Sequence, residues 1–370
     1  MTPLEELRWL LRPAGGGLYL VSTGRAEQLA LQRRLYRAAE DEKVHDRWLE
    51  ALGRIEGARA VLLGIPSDVG AGFLRGSNVG PQAIRERLLE EHPDWPERAA
   101  AAGVVDLGDV FVIPQLLHDE MLSAAQLERS RRWLYPGLSA EARAGMPASP
   151  LSIAERALEL VLRLNPGVAV LALGGDHSCA WPVVKALAGS RRDLGIVQVD
   201  AHTDLLEERL GVRYCFATWS YHANELLGRG GRLVQVGVRA SARPKAHWEE
   251  AYGVRQLWAA EVRADPAAAL DRVVADLRQA GVRQVYFSND VDGTDLGEVD
   301  ATGTPEPGGL SSDFVVELVR RLGRELTLCG GDVMEVAPPI ARTPGGARRT
   351  LGVAVRYLEE TLAAALGAAR

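Results

Sequence analysis

Three short stretches gather side chains that could do chemistry together. Asp200-Ala201-His202-Thr203-Asp204 puts three metal-ligand types within five residues. At strand spacing Asp200, His202 and Asp204 share one face, because side chains alternate along a strand. Two carboxylates and an imidazole buried together are costly unless a cation neutralises them. Ser288-Asn289-Asp290-Val291-Asp292 repeats the device. Asp290 and Asp292 share a face, and like charges there drive one to protonate unless a cation intervenes. Gly174-Gly175-Asp176-His177-Ser178 offers glycines for a sharp turn that presents His177. Alone, such a histidine reads as structural. Together the stretches supply two histidines and, besides Asp176, four aspartates. This oxygen-rich, imidazole-containing set suits Mn better than Zn, and leaves Ni, Fe and Co open. Carboxylates able to bridge point to two ions about 3.5–4 Å apart, an arrangement that supports metal-assisted hydrolysis.

The elements that must position these residues are legible around them. Each stretch directly follows an apolar run: Val168–Leu173, Ile196–Val199 and Val285–Phe287. Similar runs occur at Ala60–Ile65, Val104–Leu107, Leu233–Val238 and Leu326–Leu328. Runs apolar throughout read as strands buried on both faces. Between them lie helical patterns such as Pro81–Glu90 and Ile153–Leu164, with Pro81 suited to a first helical turn. The alternation predicts an α/β fold, a three-layer α/β/α arrangement with a mostly parallel central sheet. Ligands in such sheets collect outside the carboxyl ends of the strands. Residues 1–58 differ: Glu27 to Ile55 is rich in helix formers and predicts a helical extension. The catalytic domain is expected over 59–370. Within it, 112–150 holds Pro114, Pro136, Pro147 and Pro150 and reads as a helical insertion.

Composition excludes other classes. Lys and Arg number 43 against 49 Asp and Glu, a net charge of −6 that argues against bulk nucleic-acid binding. Three cysteines in 370 residues rule out a disulfide scaffold. A reducing, cytoplasmic setting is expected. The opening MTPLEELRWLLRPAGGG lacks the apolar core of a secretory signal. No run approaches the roughly 18 apolar residues of a membrane helix, so no membrane partner is expected.

The motifs together resemble the ureohydrolase superfamily of arginases, agmatinases, guanidino-acid hydrolases and formimidoylglutamases. The resemblance spans roughly 59–365. It rests on Gly64-Ile65-Pro66-Ser67-Asp68, Gly80-Pro81-Gln82-Ala83-Ile84-Arg85 and the three stretches above in family order. Ala301-Thr302-Gly303-Thr304-Pro305, Gly308-Gly309-Leu310 and Asp332-Val333-Met334-Glu335-Val336 complete it. It implies an arginase-like fold, a trimer or hexamer, and two Mn2+ ions per chain. His177 and Asp204 would serve one ion, His202 and Asp292 the other, with Asp200 and Asp290 bridging. Water activated there would attack a linear guanidino or amidino carbon, with loss of an amine. The bond is not a peptide bond. The resemblance also implies catalytic roles for Asp204 and Glu335. Glu335 would pair with the guanidinium, whose planar N–H donors match a carboxylate. Thr304 would lie on the substrate pocket wall.

The chain departs from that pattern in places. Arginases and agmatinases carry a His-Gly pair for proton transfer where this chain reads Tyr214-Cys215-Phe216-Ala217-Thr218, with Phe216 at the histidine. Formimidoylglutamases lack it too. His222, six residues on, is expected to substitute as a catalytic residue. Cys215 reads as buried and inert. Leu206 stands where arginases hold the α-carboxylate with an asparagine, which argues against arginine. Glu207 and Glu208 follow, and acids at a pocket rim favour a cationic tail. Asn289 replaces a usually apolar residue. An agmatinase-like hydrolase is therefore expected ahead of an arginase. The alternatives are a formimidoylglutamase-like amidine hydrolase and a metal-binding, catalytically silent homologue.

Overall fold

The apolar runs form a single sheet, and its strand order decides where the motifs meet. The computed structural model describes residues 1–367. The strands are β1 (Leu11–Arg12), β2 (Ala60–Ile65), β3 (Val104–Val110), β4 (Ala169–Gly174) and β5 (Leu194–Val199). They continue with β6 (Leu233–Val238), β7 (Arg255–Trp258), β8 (Gln284–Asn289) and β9 (Thr327–Val333). Their order is β1-β3-β2-β4-β9-β8-β5-β6-β7. Every pairing is parallel except β1 with β3. The chain leaves β4, skips to β5, and later fills the gap with β8 and β9. Such a switch in strand order opens a crevice at the carboxyl ends. The ends of β4, β5, β8 and β9 all meet there.

Helices pack in two sets. Pro3–Leu10, Pro150–Leu164, Ala180–Ser190 and Trp219–Leu226 contact one another in series. Arg25–Tyr36, Gly80–Glu91, Gly346–Ala365, Ser312–Glu325 and Pro266–Gln279 form the second series. The sheet between them is mostly apolar, with β2, β4, β5 and β6 buried at every residue. None of the described helices is long and apolar enough to cross a membrane.

Some elements escaped the sequence pattern. β1 has two residues, and β7 reads Arg-Gln-Leu-Trp with no apolar run. β9 runs on through Gly330 and Gly331, which look like a strand end in sequence. A Cβ at Gly330 would meet the Val170 carbonyl oxygen at 2.1 Å, so the glycine is there for close strand approach. The helix expected over Glu27–Ile55 is two helices, Arg25–Tyr36 and Asp41–Leu52, parted at Arg37 with φ 52°. Residues 112–150 hold the short helices Ala124–Leu134 and Ala140–Ala144.

The first 58 residues share the core of the rest. Leu7, Leu10, Leu11 and Trp48 are fully buried in the same apolar cluster as the sheet. The Trp48 indole donates to the Leu107 carbonyl at 2.9 Å. Asp109 on β3 accepts from the Gly15 amide at 2.7 Å and from Arg85 at 2.6 Å. Arg85, itself fully buried, also grips Asp106 through two bonds of 2.9 Å. The Gly80–Arg85 motif thus ends in a buried ion cluster that ties the extension to the sheet.

Candidate metal centre

Each strand end turns sharply to deliver its residue. After β4, Gly175 passes so close to Ser67 that a Cβ would lie 1.9 Å from its carbonyl oxygen. Asp176 then accepts from the Ser178 amide at 2.9 Å, and His177 faces the crevice. After β5, Asp200 accepts from the His202 amide at 2.6 Å. The segment is not extended strand, as the shared-face pattern expected. It bends, and Asp204 takes φ 51°. After β8, Asp290 accepts from the Asp292 amide at 2.8 Å, a tight turn again. After β9, Glu335 takes φ 61°, and its amide donates to the Gly175 carbonyl at 2.8 Å. Left-handed backbone at a non-glycine residue costs on the order of 1 kcal/mol and clusters at functional sites.

The six motif residues converge. His177 Nδ1 lies 3.1 Å from Asp200 Oδ2, 3.3 Å from Asp204 Oδ2 and 3.2 Å from Asp290 Oδ2. His202 Nδ1 lies 3.4 Å from Asp200 Oδ1 and 3.1 Å from Asp292 Oδ2. Two ligand groups result, His177-Asp200-Asp290 and Asp200-His202-Asp292, with Asp200 common to both. Burial alone would lower the His177 pKa, but the carboxylates of Asp200, Asp204 and Asp290 hold it well above the usual range. Burial opposes the charged His202 too, yet Asp292 and Asp200 push it up to about 12. Burial and Asp200 push Asp204 up to about 7. Burial, Asp292 and Asp200 hold Asp290 well above the usual carboxylate range. These are the marks of a charge conflict. One buried imidazole nitrogen faces three acceptors, can serve only one of them, and finds no well-directed bond. Cations ringed by these oxygen and nitrogen donors would remove the conflict, so the residues fit a binuclear site.

Neighbours fix the ligands. His177 Nε2 is 3.0 Å from Ser288 Oγ, which donates to Asp332 at 2.9 Å. Asp332 also accepts from the Tyr286 hydroxyl and the Asn289 amide, each at 2.8 Å. This leaves Nδ1 turned to the carboxylates, the usual service of an outer hydrogen bond to a metal histidine. The Trp219 indole donates to Asp204 Oδ2 at 3.0 Å, and Thr304 Oγ1 to Asp292 Oδ2 at 3.0 Å. Gln198 Nε2 donates to Asp200 Oδ2 at 2.7 Å. The sequence patterns assign no role to Gln198, Ser288, Trp219 or Asp332, although Ser288 and Asp332 lie inside motifs. Gln198 and Ser288 each stand two residues before a motif aspartate, so period two could have found them.

The remaining expectations divide. Glu335 is buried beside the cluster, and its Oε1 accepts from the His177 amide at 3.0 Å. Burial, Asp290 and Asp176 raise its pKa well above the carboxylate range. Thr304 meets the site as a partner of Asp292. Glu207 is exposed and lines a cavity of about 430 Å³ that opens at His202 and Asp204. Leu206, Arg209, Phe216, Arg243 and Trp248 also line it, and Glu208 does not. Among the described residues His222 makes no hydrogen bond or ion pair with the six motif residues. Its Nε2 is bonded to the Arg213 carbonyl at 2.9 Å. Its ring packs against Tyr214, Tyr221 and Trp181 at 5.0–5.7 Å between centroids. Burial raises the Cys215 thiol, against reactivity. The Asn289 side-chain amide is buried without a hydrogen-bond partner among the described residues, and nothing in the structure explains it.

The sequence model of the arginase family matches residues 58–363. The chain belongs to the arginase family. It is 34% identical to the N(1)-aminopropylagmatine ureohydrolase of Thermus thermophilus over 283 residues, 76% of this chain and 84% of that protein. It is 29% identical to the guanidinobutyrase of Pseudomonas aeruginosa over 317 residues, 84% of this chain and 88% of that one. The solved proclavaminate amidino hydrolase of Streptomyces clavuligerus superposes with a TM-score of 0.62 at 27% identity, covering 83% of this chain and 93% of that chain. Membership brings the arginase-like α/β fold and the enzyme class: a ureohydrolase-type hydrolase of linear guanidino C–N bonds.

Proposed function

We propose that the centre takes two Mn2+ ions per chain and hydrolyses a linear guanidino compound with an amine-bearing tail, R–NH–C(NH2)2+ plus water giving R–NH3+ plus urea. The observation that carries this reading is the convergence of four carboxylates and two imidazoles beside a buried Glu335. His177 and Asp204 would hold one ion, His202 and Asp292 the other, and Asp200 and Asp290 both. When bound, such a pair supplies the Lewis acidity that makes water a nucleophile at neutral pH.

The chain's own residues do the rest. Glu335 receives the guanidinium. The His177 amide fixes Oε1, and Gly303 lies beside Oε2, where an added Cβ would stand 3.7 Å away. Asp204, steadied by the Trp219 indole, is placed to pass a proton to the leaving amine. Thr304 keeps Asp292 turned inward. Phe216 walls the tail cavity and offers no proton. Glu207 at the cavity mouth favours an ammonium group, and Leu206 offers no hydrogen bond to a carboxylate. The same reading carries a cytoplasmic trimer or hexamer with no nucleic-acid or membrane partner, which sedimentation of the purified chain checks for assembly.

A second reading has an observation of its own. Arg209 and Arg243 line the same cavity, and neither has a carboxylate partner among the described residues. They would suit a carboxylate tail. Urea release with Mn loaded, across agmatine, 4-guanidinobutyrate, 3-guanidinopropionate, arginine and guanidine, separates the two. Asp200→Ala is the blank. Turnover of agmatine over guanidinobutyrate supports the amine tail, and the reverse transfers the substrate to the guanidino acids. No urea from any, with two Mn still bound, turns the reading to formimino substrates or a silent homologue.

A further inference from the structure

Three glutamines stand fully buried on neighbouring strands: Gln198 on β5, Gln235 on β6 and Gln256 on β7. Glutamine is seldom so buried. They are direct partners across the strands, Gln198 opposite Gln235 and Gln235 opposite Gln256. Their side chains form one continuous row. Trp258 Nε1 donates to Gln256 Oε1 at 2.9 Å, and Gln256 Nε2 to Gln235 Oε1 at 2.8 Å. Gln235 Nε2 donates to Gln198 Oε1 at 2.8 Å, and Gln198 Nε2 to Asp200 Oδ2 at 2.7 Å.

The row has a direction, and its ends set it. An indole N–H only donates, and an ionised carboxylate only accepts. Between them each amide has one orientation that satisfies both neighbours. A branch agrees: Gln235 Nε2 also donates to the Thr203 carbonyl at 2.5 Å. Reversed, Gln235 would set its oxygen against that carbonyl. The Ser220 hydroxyl, 2.7 Å from Gln198 Oε1, rotates to suit either orientation and sets nothing. Aligned donors of this kind polarise one another. The row therefore arrives at the 200–204 segment in two places, the Asp200 carboxylate and the Thr203 carbonyl.

We infer that Gln198, Gln235, Gln256 and Trp258 are positioning residues, which hold Asp200 and the 200–204 bend in the shape that accepts the cation pair. This rests on the reading of Asp200 as a ligand to both ions. Asp200 belongs to both ligand groups, so a turn of its carboxylate disturbs both. Trp258, on the edge strand of the sheet, acts from two strands away.

The test is Mn2+ titration of the metal-stripped full-length chain, read by calorimetry and by the spin-coupled EPR signal of paired Mn. Gln198→Met, Gln235→Met and Trp258→Phe preserve side-chain size and remove links of the row. Gln198→Met should weaken Mn2+ binding roughly 10–100-fold, the range for outer-shell partners. Gln235→Met and Trp258→Phe should follow with smaller losses in that order. Stranding a buried amide costs stability by itself, so the Mn2+ affinity of the variants should fall by more than their loss of metal-free stability accounts for, which a merely structural role would not produce. Asp200→Ala separates the two readings. If it abolishes paired Mn while the row variants bind like the parent, the positioning role is overturned and the metal site stands. If Asp200→Ala binds Mn2+ normally, the metal-site reading falls and the row with it. Loss of affinity only in proportion to loss of metal-free stability also overturns the proposal.

Discussion

Glu335→Gln isolates the charge that Glu335 offers the substrate. The substituted amide keeps its carbonyl oxygen, so it can still accept from the His177 amide at the present 3.0 Å. The left-handed backbone at φ 61° is the same for either residue. Local structure should therefore survive. What disappears is the negative charge facing a guanidinium, and one acceptor becomes a donor set against other N–H donors. A hydrogen bond to a charged partner is worth about 1.5–3 kcal/mol. At about 1.4 kcal/mol per factor of ten, kcat/KM should fall by about 10–150-fold. The assay is urea release at saturating Mn, with calorimetry confirming that metal binding is unchanged. Activity equal to the parent, with the substituted chain folded and loaded, would refute the pairing and move the guanidinium elsewhere in the crevice.

Three further outcomes are expected. Stripped of metal, the folded chain holds Asp204 pushed up to about 7 and Asp176 to about 6. A carboxyl raised on folding stabilises below its ordinary pKa and loses that contribution as pH rises through the folded value. His177 and His202, also raised, lose theirs only as pH climbs past about 6.5, in the same direction. The metal-free protein should thus melt lower at about pH 8 than at about pH 5.5, with added Mn reversing the order; a metal-free melting temperature that climbs with pH over that window contradicts the charge conflict. Asp109→Asn keeps the acceptor for Gly15 but removes a charge from the buried Arg85, and should cost about 3 kcal/mol in denaturant unfolding. His222→Phe should leave kcat unchanged, because a ring bonded to the Arg213 carbonyl is not a proton carrier; a loss of roughly 10²–10⁴-fold would restore it to the chemistry.

The strands that matter were readable because a parallel sheet covered on both faces demands unbroken apolar runs. Chemistry sits where such runs stop, so the aspartates and histidines after β4, β5 and β8 stood out. Asp200 with His202, and Asp290 with Asp292, were readable as pairs, although tight turns rather than strand pleats bring them together. β7 was hidden because Gln256 replaces an apolar residue inside a four-residue strand. Glycines that permit close strand approach masked the true length of β9. Gln198 sits inside an apolar run and Ser288 opens a motif, yet the partners of both stay hidden in the sequence, because they lie across the sheet and not along the chain. His222 depends on the same distinction. Spacing along a helix says which residues share its face, and the structure gives that face to Trp181 and Tyr214.

The double grip of Asp109 limits how the gene can be trimmed. The family match begins at residue 58, and an expression fragment cut there would look complete by alignment. It would lose Gly15 from Asp109, Trp48 from the Leu107 carbonyl, and β1 from the flank of β3. The bared flank of β3 is a row of unpaired backbone groups, a template for stacking chain on chain. Such a fragment should come out of cells in inclusion bodies with its catalytic motifs intact. Homology would have marked the right chemistry and the wrong place to cut.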